Sequence, residues 1–290
     1  MSTPTPSLDH LILFLPAGPN NLPLIPPFLS SNFTLTPGGT HADGLTSNTL
    51  ILLADGCYIE LICFLPSAAL SKLQTHWWGP NPARKGWTDW CLTTAAPDSA
   101  EANHERVQAT HAAPLQGARR RADGVDVKWA VTFPAGANGG QEVRGKLPFF
   151  CHDITPRELR VPLSASNTTH LCGARGVREI SVVLPSRETL EETRALYASL
   201  FDERPGAEGD EEFSFSVGRV KSVEGLEEGA GIVLRLPRNE EEREKVRERG
   251  VCVCDVVLAA RAGEGRERGK RWRLDGEGED DVGGLWVEYV

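Results

Sequence analysis

Leu8-Asp9-His10-Leu11-Ile12-Leu13-Phe14-Leu15-Pro16, residues 8–16, is an apolar strand-like run stopped by a proline-marked turn, and the chain uses this device more than once. Residues 90–94 and 179–184 repeat it, each leading into a polar or helical segment and then several further strands. The starts lie roughly 80 to 90 residues apart, a spacing that points to repeated supersecondary units. In the first unit, residues 48–53 and 57–64 flank Asp55-Gly56, a strong hairpin signal. The second unit offers strands at 125–133 and 147–154, and the third at 213–217, 231–236, 251–258 and 285–290. Strand, helix, then strands, three times over, predicts an α+β fold.

Helix signals fit this order. Ser186 caps a helix with Glu188 in its first turn and Leu190, Thr193, Tyr197 and Leu200 on one face. Asp98, with Glu101 three residues on, resembles a capping box for a helix reaching about Gln108. Residues 16–27 are too rich in proline for a regular helix throughout. Stretches 134–140, 205–212, 263–270 and 276–284 read as polar loops.

Composition narrows the partners. A net charge of -9 and a pI near 5.4 oppose the phosphate neutralisation that drives nucleic-acid binding. The basic clusters Arg119-Arg120-Arg121 and 266–273 sit beside Asp123, Asp126 and Asp275 and read as solvated loops. The apolar run at 11–15 is too short for a signal peptide core or a membrane helix. Seven cysteines without an export signal argue for reduced thiols and a cytoplasmic setting.

Two residues stand out chemically. Glu60 lies in Tyr58-Ile59-Glu60-Leu61-Ile62-Cys63-Phe64, a strand otherwise apolar on both faces, where an ionised carboxylate needs a compensating partner. His10 has the same character, and a neutral imidazole with a carboxylate on adjacent strands suits a divalent metal acting as a Lewis acid. Against this stand the ordinary readings, a hydrogen-bonded core histidine and an edge-strand glutamate turned to solvent. His41, in the glycine-containing segment Gly39 to Asn48, is either a proton-transfer group at a pocket mouth or a solvated loop residue. Asn48 either caps a turn or orients a carbonyl oxygen. Trp77, Trp78, Trp87, Trp90 and Trp129 wall a small-molecule pocket or fill the core. Cys252 and Cys254 alternate in an apolar strand, which is usual for buried packing, and His170 with Cys172 lacks a second ligand pair for zinc.

Leu8-Asp9-His10-Leu11-Ile12, Gly38-Gly39-Thr40-His41, Gly44-Leu45-Thr46-Ser47-Asn48 and Tyr58-Ile59-Glu60-Leu61, in that order, resemble the glyoxalase-like branch of the vicinal oxygen chelate superfamily. Gly86-Trp87 and Leu147-Pro148-Phe149-Phe150 extend the resemblance over about the first 155 residues, with a looser match from Gly176 onward. It implies repeated βαβββ modules forming a curled sheet of the glyoxalase/bleomycin-resistance type: paired modules over 1–165 and a further module over 176–290. It also implies a divalent cation held by His10 on a first strand and Glu60 on a fourth, with the partner module completing the set. The partner's first strand, Asp89-Trp90-Cys91-Leu92, has no histidine, and its fourth, Phe150-Cys151-His152-Asp153, offers His152 as third ligand with Asp153 as substitute.

The expected function is glyoxalase-like chemistry on a small molecule, as a metal-dependent lyase, isomerase or dioxygenase, with His41 and Glu60 as catalytic groups. The alternatives are a metal-free small-molecule binding protein of the same fold and a scaffold using its charged C-terminal unit. Expected partners are a small-molecule ligand, with no nucleic acid and no membrane, and the chain is read as a monomer or homodimer with module pairing inside one chain preferred.

Overall fold

The first unit opens with β1 (Ser7–Phe14), buried along almost its whole length. The prolines that follow confine α1 (Pro27–Asn32) to six residues, with Pro27 at its first position, where a missing N–H costs nothing. Then come β2 (Thr36–Thr40), β3 (Thr46–Leu52) and β4 (Tyr58–Phe64). β4 lies parallel to β1, β3 antiparallel to β4 and β2 antiparallel to β3, the expected βαβββ module. The structure is a computed structural model that describes residues 5–81, 84–94, 99–121, 123–202, 206–207, 211–262 and 266–290.

After the short α2 (Leu70–Leu73), the same pattern returns as β5 (Gly86–Thr93), α3 (Ala100–Val107), β6 (Leu115–Arg120), β7 (Asp126–Thr132) and β8 (Phe149–Asp153). Asp98 lies outside the described residues; the cap of α3 is Ser99, whose side chain accepts from the Ala102 N–H. β1 and β5 pair antiparallel, so the first two modules share one curled sheet within a single chain. The turn α4 (Arg157–Arg160) then leads into the third module: β9 (Ala174–Val183), α5 (Arg187–Phe201), β10 (Gly206–Ala207), β11 (Glu212–Arg219) and β12 (Ala230–Arg235). Ser186 caps α5 as expected, and Leu190, Thr193, Tyr197 and Leu200 are all buried.

Three units become four. After α6 (Glu240–Arg249), β13 (Cys252–Ala260), β14 (Arg271–Arg273) and β15 (Leu285–Tyr289) form an abbreviated module: β15 parallel to β13 and β14 antiparallel to β15. It pairs with the third module through antiparallel β9 and β13, as β1 pairs with β5. The basic segment 266–273 is therefore partly strand, because β15 supplies the ladder that an arginine-rich triplet does not announce. Likewise the stretch read as a loop at 205–212 contributes β10 and the start of β11, and residues 203–205 and 208–210 lie outside the described set.

The two pairs join edge to edge where β1 meets β11 at Ser7↔Gly218 and Leu8↔Arg219. Their inner faces share one apolar core that brings Leu11, Leu13 and Trp90 together with Ile180, Val182 and Leu258. The faces turned away from this core differ. In the second pair α6 covers it: Val246 packs on Val183, Cys252 and Cys254, and Arg235, 1% exposed, pairs with Glu242 and Asp255. In the first pair the corresponding face, carrying His10, Ile12 and Phe14, is left to form a cleft. All seven cysteines are buried and unpaired, and among the described residues no helix is long and apolar enough to cross a membrane.

Candidate active site

The cleft of the first pair has a volume of about 820 Å³. It is closed at its rim where the edge strands meet, His41 bridging to Arg119 in the β6 strand and the Ala42 N–H donating to the Ala118 carbonyl. Trp77, Trp78, Trp129, Phe133 and Phe149 give it aromatic walls. Asp89 fixes two of them: its buried carboxylate accepts from the indole N–H of Trp77 at 2.8 Å and of Trp78 at 3.1 Å. Trp87 and Trp90 lie in the shared core instead.

His10 is held by a β-bulge. Leu8 faces Leu92 and His10 faces Cys91, which leaves Asp9 as the extra residue, and bulges of this kind re-aim side chains beside functional sites. Asp9 is fully buried and accepts from His10 Nδ1 at 2.6 Å. The Arg160 fork donates to both its oxygens, at 2.9 and 3.0 Å, and Arg157 adds a contact at 2.5 Å. Burial alone would raise the Asp9 pKa, but the two guanidinium groups and the His10 hydrogen bond hold it well below the usual carboxylate range. An ionised Asp9 only accepts, so Nδ1 of His10 carries a proton, and in the neutral ring the lone pair is on Nε2. That atom lies 3.7 Å from Glu60 Oε2.

Glu60 is 5% exposed, and Asn48 is the donor that makes its burial tolerable. Asn48 Oδ1 accepts from the Gly39 N–H at 3.0 Å and from Arg119 at 3.3 Å, which turns its amide N–H toward Glu60 Oε1, at 2.7 Å. The same amide is 3.4 Å from His41 Nε2, itself 3.5 Å from Glu60 Oε1. Burial, the largest influence, lowers the His41 pKa below its usual value against the opposing pull of Glu60 and Asp43. His41 is thus suited to accept a proton from a molecule in the cleft. The structure brings His10, His41, Asn48 and Glu60 together.

His152 is not among them. Phe149 and Cys151 of β8 face the cleft, and strand alternation sends His152 to the opposite face, where its Nε2 is 2.9 Å from the Thr94 hydroxyl. The expected third ligand is therefore corrected by strand phase. Its substitute Asp153 is bound to Arg160 at 2.6 Å and to Arg157 at 3.1 Å. Among the described residues, no other His, Cys or carboxylate atom lies within 4.8 Å of both His10 and Glu60 ligand atoms. His10 and Glu60 thus fit a divalent cation as a two-residue set, with Cys91 and Cys151 at the partner module's positions. Burial keeps the Cys91 thiol protonated by raising its pKa well above the usual value.

Arg119 and Arg160 were not legible as site residues. Arg119, read as part of a solvated loop, is 6% exposed and lines the cleft, while Arg120 beside it points outward. The alternation of an arginine triplet along a strand was the available signal. His170, set aside as a zinc ligand, is a buried packing group 2.9 Å from the Leu52 carbonyl.

The comparisons with known proteins agree with this architecture. No curated protein matches the sequence significantly. A hypothetical protein from Staphylococcus aureus shares the fold over 98% of this chain and 99% of its own, with TM-score 0.68 and 15% identity. A mutant of 4-hydroxymandelate synthase from Streptomyces coelicolor is similar over 90% of this chain and 72% of its own, with TM-score 0.50 and 15% identity. A xylose isomerase-like TIM barrel/4-hydroxyphenylpyruvate dioxygenase fusion protein matches 90% of this chain and 38% of its own, with TM-score 0.50 and 14% identity. Identities this low establish the fold alone. A family profile described as a glyoxalase-like domain matches residues 8–201, a span that contains both modules of the cleft, and the chain belongs to that glyoxalase-like family.

Proposed function

We propose that the first module pair binds a small, largely apolar molecule with adjacent oxygens and moves a proton on it, with His10 and Glu60 holding a divalent cation. One observation carries this reading: Asp9 holds Nδ1 of His10 at 2.6 Å, which leaves Nε2 as the ring atom that faces the Glu60 carboxylate, at 3.7 Å. Two electron-pair donors buried face to face need a cation or a proton between them. Metal–ligand bonds of roughly 2.1 Å allow one ion to reach both. When bound, such an ion supplies Lewis-acid polarisation of a substrate oxygen.

The chain's own residues do the rest. Asp9 fixes the His10 tautomer, Asn48 steadies Glu60 by donating to Oε1, and His41 accepts a proton at Nε2. The aromatic walls exclude water and hold the apolar body of the ligand. Elemental analysis of the purified protein beside His10→Ala and Glu60→Ala tests the reading. Near-stoichiometric divalent metal that both substitutions abolish is the expected result; wild-type protein that stays metal-free after reloading sinks it.

The second reading is a metal-free binding protein, favoured by the lack, among the described residues, of a third ligand atom within 4.8 Å of both His10 and Glu60. In that case His10 and Glu60 share a proton, and ligand binding changes the fluorescence of Trp77, Trp78 and Trp129 without added metal.

A further inference from the structure

The cleft contains two buried arginines with opposite surroundings. Arg160 donates to Asp9, Asp153 and the Tyr58 hydroxyl, so its charge is met on every side. Among the described residues Arg119 donates to two neutral oxygens, Asn48 Oδ1 at 3.3 Å and the Arg160 carbonyl at 3.2 Å. Among the described residues no carboxylate oxygen lies within 4.0 Å of it. Burial pulls its pKa below the usual arginine value, yet a guanidinium remains charged at any physiological pH. Glu60 acts on it from beyond Asn48, and a buried, charged fork that lines an 820 Å³ cleft with no carboxylate in direct contact has capacity for one.

We propose that Arg119 is the anchor for a ligand carboxylate, so that the cleft selects small aromatic or branched-chain carboxylic acids over uncharged analogues. This rests on reading the cleft as the ligand site. The flat guanidinium fork matches the two coplanar oxygens of a carboxylate. The body of such an acid meets Trp129, whose ring lies across Gly117 on the strand that carries Arg119; a Cβ at Gly117 would come within 2.4 Å of its indole nitrogen. Asn48 connects the anchor to the reactive groups, holding Arg119 through its oxygen and Glu60 through its nitrogen. A carboxylate on Arg119 therefore places the adjacent ligand atoms toward His10, His41 and Glu60. A lone guanidinium suits a monoanion better than a phosphate dianion.

Calorimetry on the full chain with benzoate, phenylacetate, cinnamate and 4-methylpentanoate, each beside its primary amide, tests the proposal, with phenyl phosphate as a further arm. At least one acid should bind tenfold or more tightly than its amide. Arg119→Met should erase that preference, bringing the ratio of acid to amide affinity to about one. Arg119→Lys, which keeps the charge but not the fork, should weaken the acid severalfold more than its amide; this variant decides the matter if Arg119→Met does not fold. Equal binding of acids and amides, an acid preference that survives Arg119 substitution, no binding across the panel, or tighter binding of phenyl phosphate than of every acid would each overturn it. The metal assay is independent. Metal held by His10 and Glu60 with no acid preference would sink the anchor and spare the cation reading, and an Arg119-dependent acid preference in metal-free protein would do the reverse.

Discussion

Replacing Asp9 by asparagine keeps the side chain's shape and removes one negative charge from between Arg157 and Arg160. Both guanidinium groups keep Asp153 but lose the fully buried carboxylate between them, and breaking a buried pair in this way costs about 3 to 5 kcal/mol. Asp9→Asn should therefore lower the urea midpoint strongly, and it should also free the His10 ring from its fixed tautomer. His111 gives a pH dependence of its own. It is 2% exposed, hydrogen-bonded to the Pro148 carbonyl, and burial pushes it down to about 4 from 6.5. Between those values the unfolded chain takes up a proton that the folded chain refuses, so stability falls as pH drops from 6.5 toward 4, by roughly 3 kcal/mol from this group. Above 6.5 the contribution is pH-independent. Urea denaturation at pH 7 and pH 4.5 should show a smaller acid loss in His111→Gln than in wild type; equal losses would contradict the assignment.

At the scale of elements, legibility followed what forms each strand. β1, β4 and β13 were readable because their apolar runs demand burial whatever they pair with. β2, β6 and β14 were hidden because Thr36-Pro37-Gly38-Gly39-Thr40, Leu115-Gln116-Gly117-Ala118-Arg119-Arg120 and Arg271-Trp272-Arg273 become strands only through a neighbour's ladder. The same division runs through the site. His10 and Glu60 announced themselves as polar breaks in apolar strands, whereas Arg119 sat in an edge strand where charge is usual. The five residues of β8 could not reveal which face His152 takes, and nothing local marks the Asp9 bulge. The β2–β3 pair also carries a test. A Cβ on Gly38 would fall 1.9 Å from Asn48 Oδ1 and 2.5 Å from its carbonyl oxygen. Gly38→Ala must displace Asn48, so it should cost about 1 to 3 kcal/mol and remove the donor from Glu60. Loss of metal or ligand binding beyond the loss of stability, read by calorimetry on the folded fraction, is the expected signature.

Across the whole molecule, four modules do not imply four folding units. The β1–β11 junction joins only two residue pairs, but the apolar core runs through both halves, and the Trp87 indole donates to the Gly284 carbonyl across them. Urea unfolding followed by tryptophan fluorescence and by far-ultraviolet circular dichroism should give coincident single transitions. Two separated transitions would show that the halves fold apart.

The helix over the second pair has a consequence for how this chain tolerates change. Glu240–Arg249 contains one apolar residue, Val246, among nine charged ones, and it closes its hollow with that valine and the Arg235–Glu242 pair. The chain thus carries two module pairs, one with an open cleft and one whose matching face is covered by a helix. In a saturation mutagenesis experiment, positions facing the first hollow would be constrained by activity at constant abundance. Their counterparts beneath the helix would be constrained through abundance alone, accepting any residue that packs. That contrast between mirrored positions offers a way to separate selection for chemistry from selection for folding within one polypeptide.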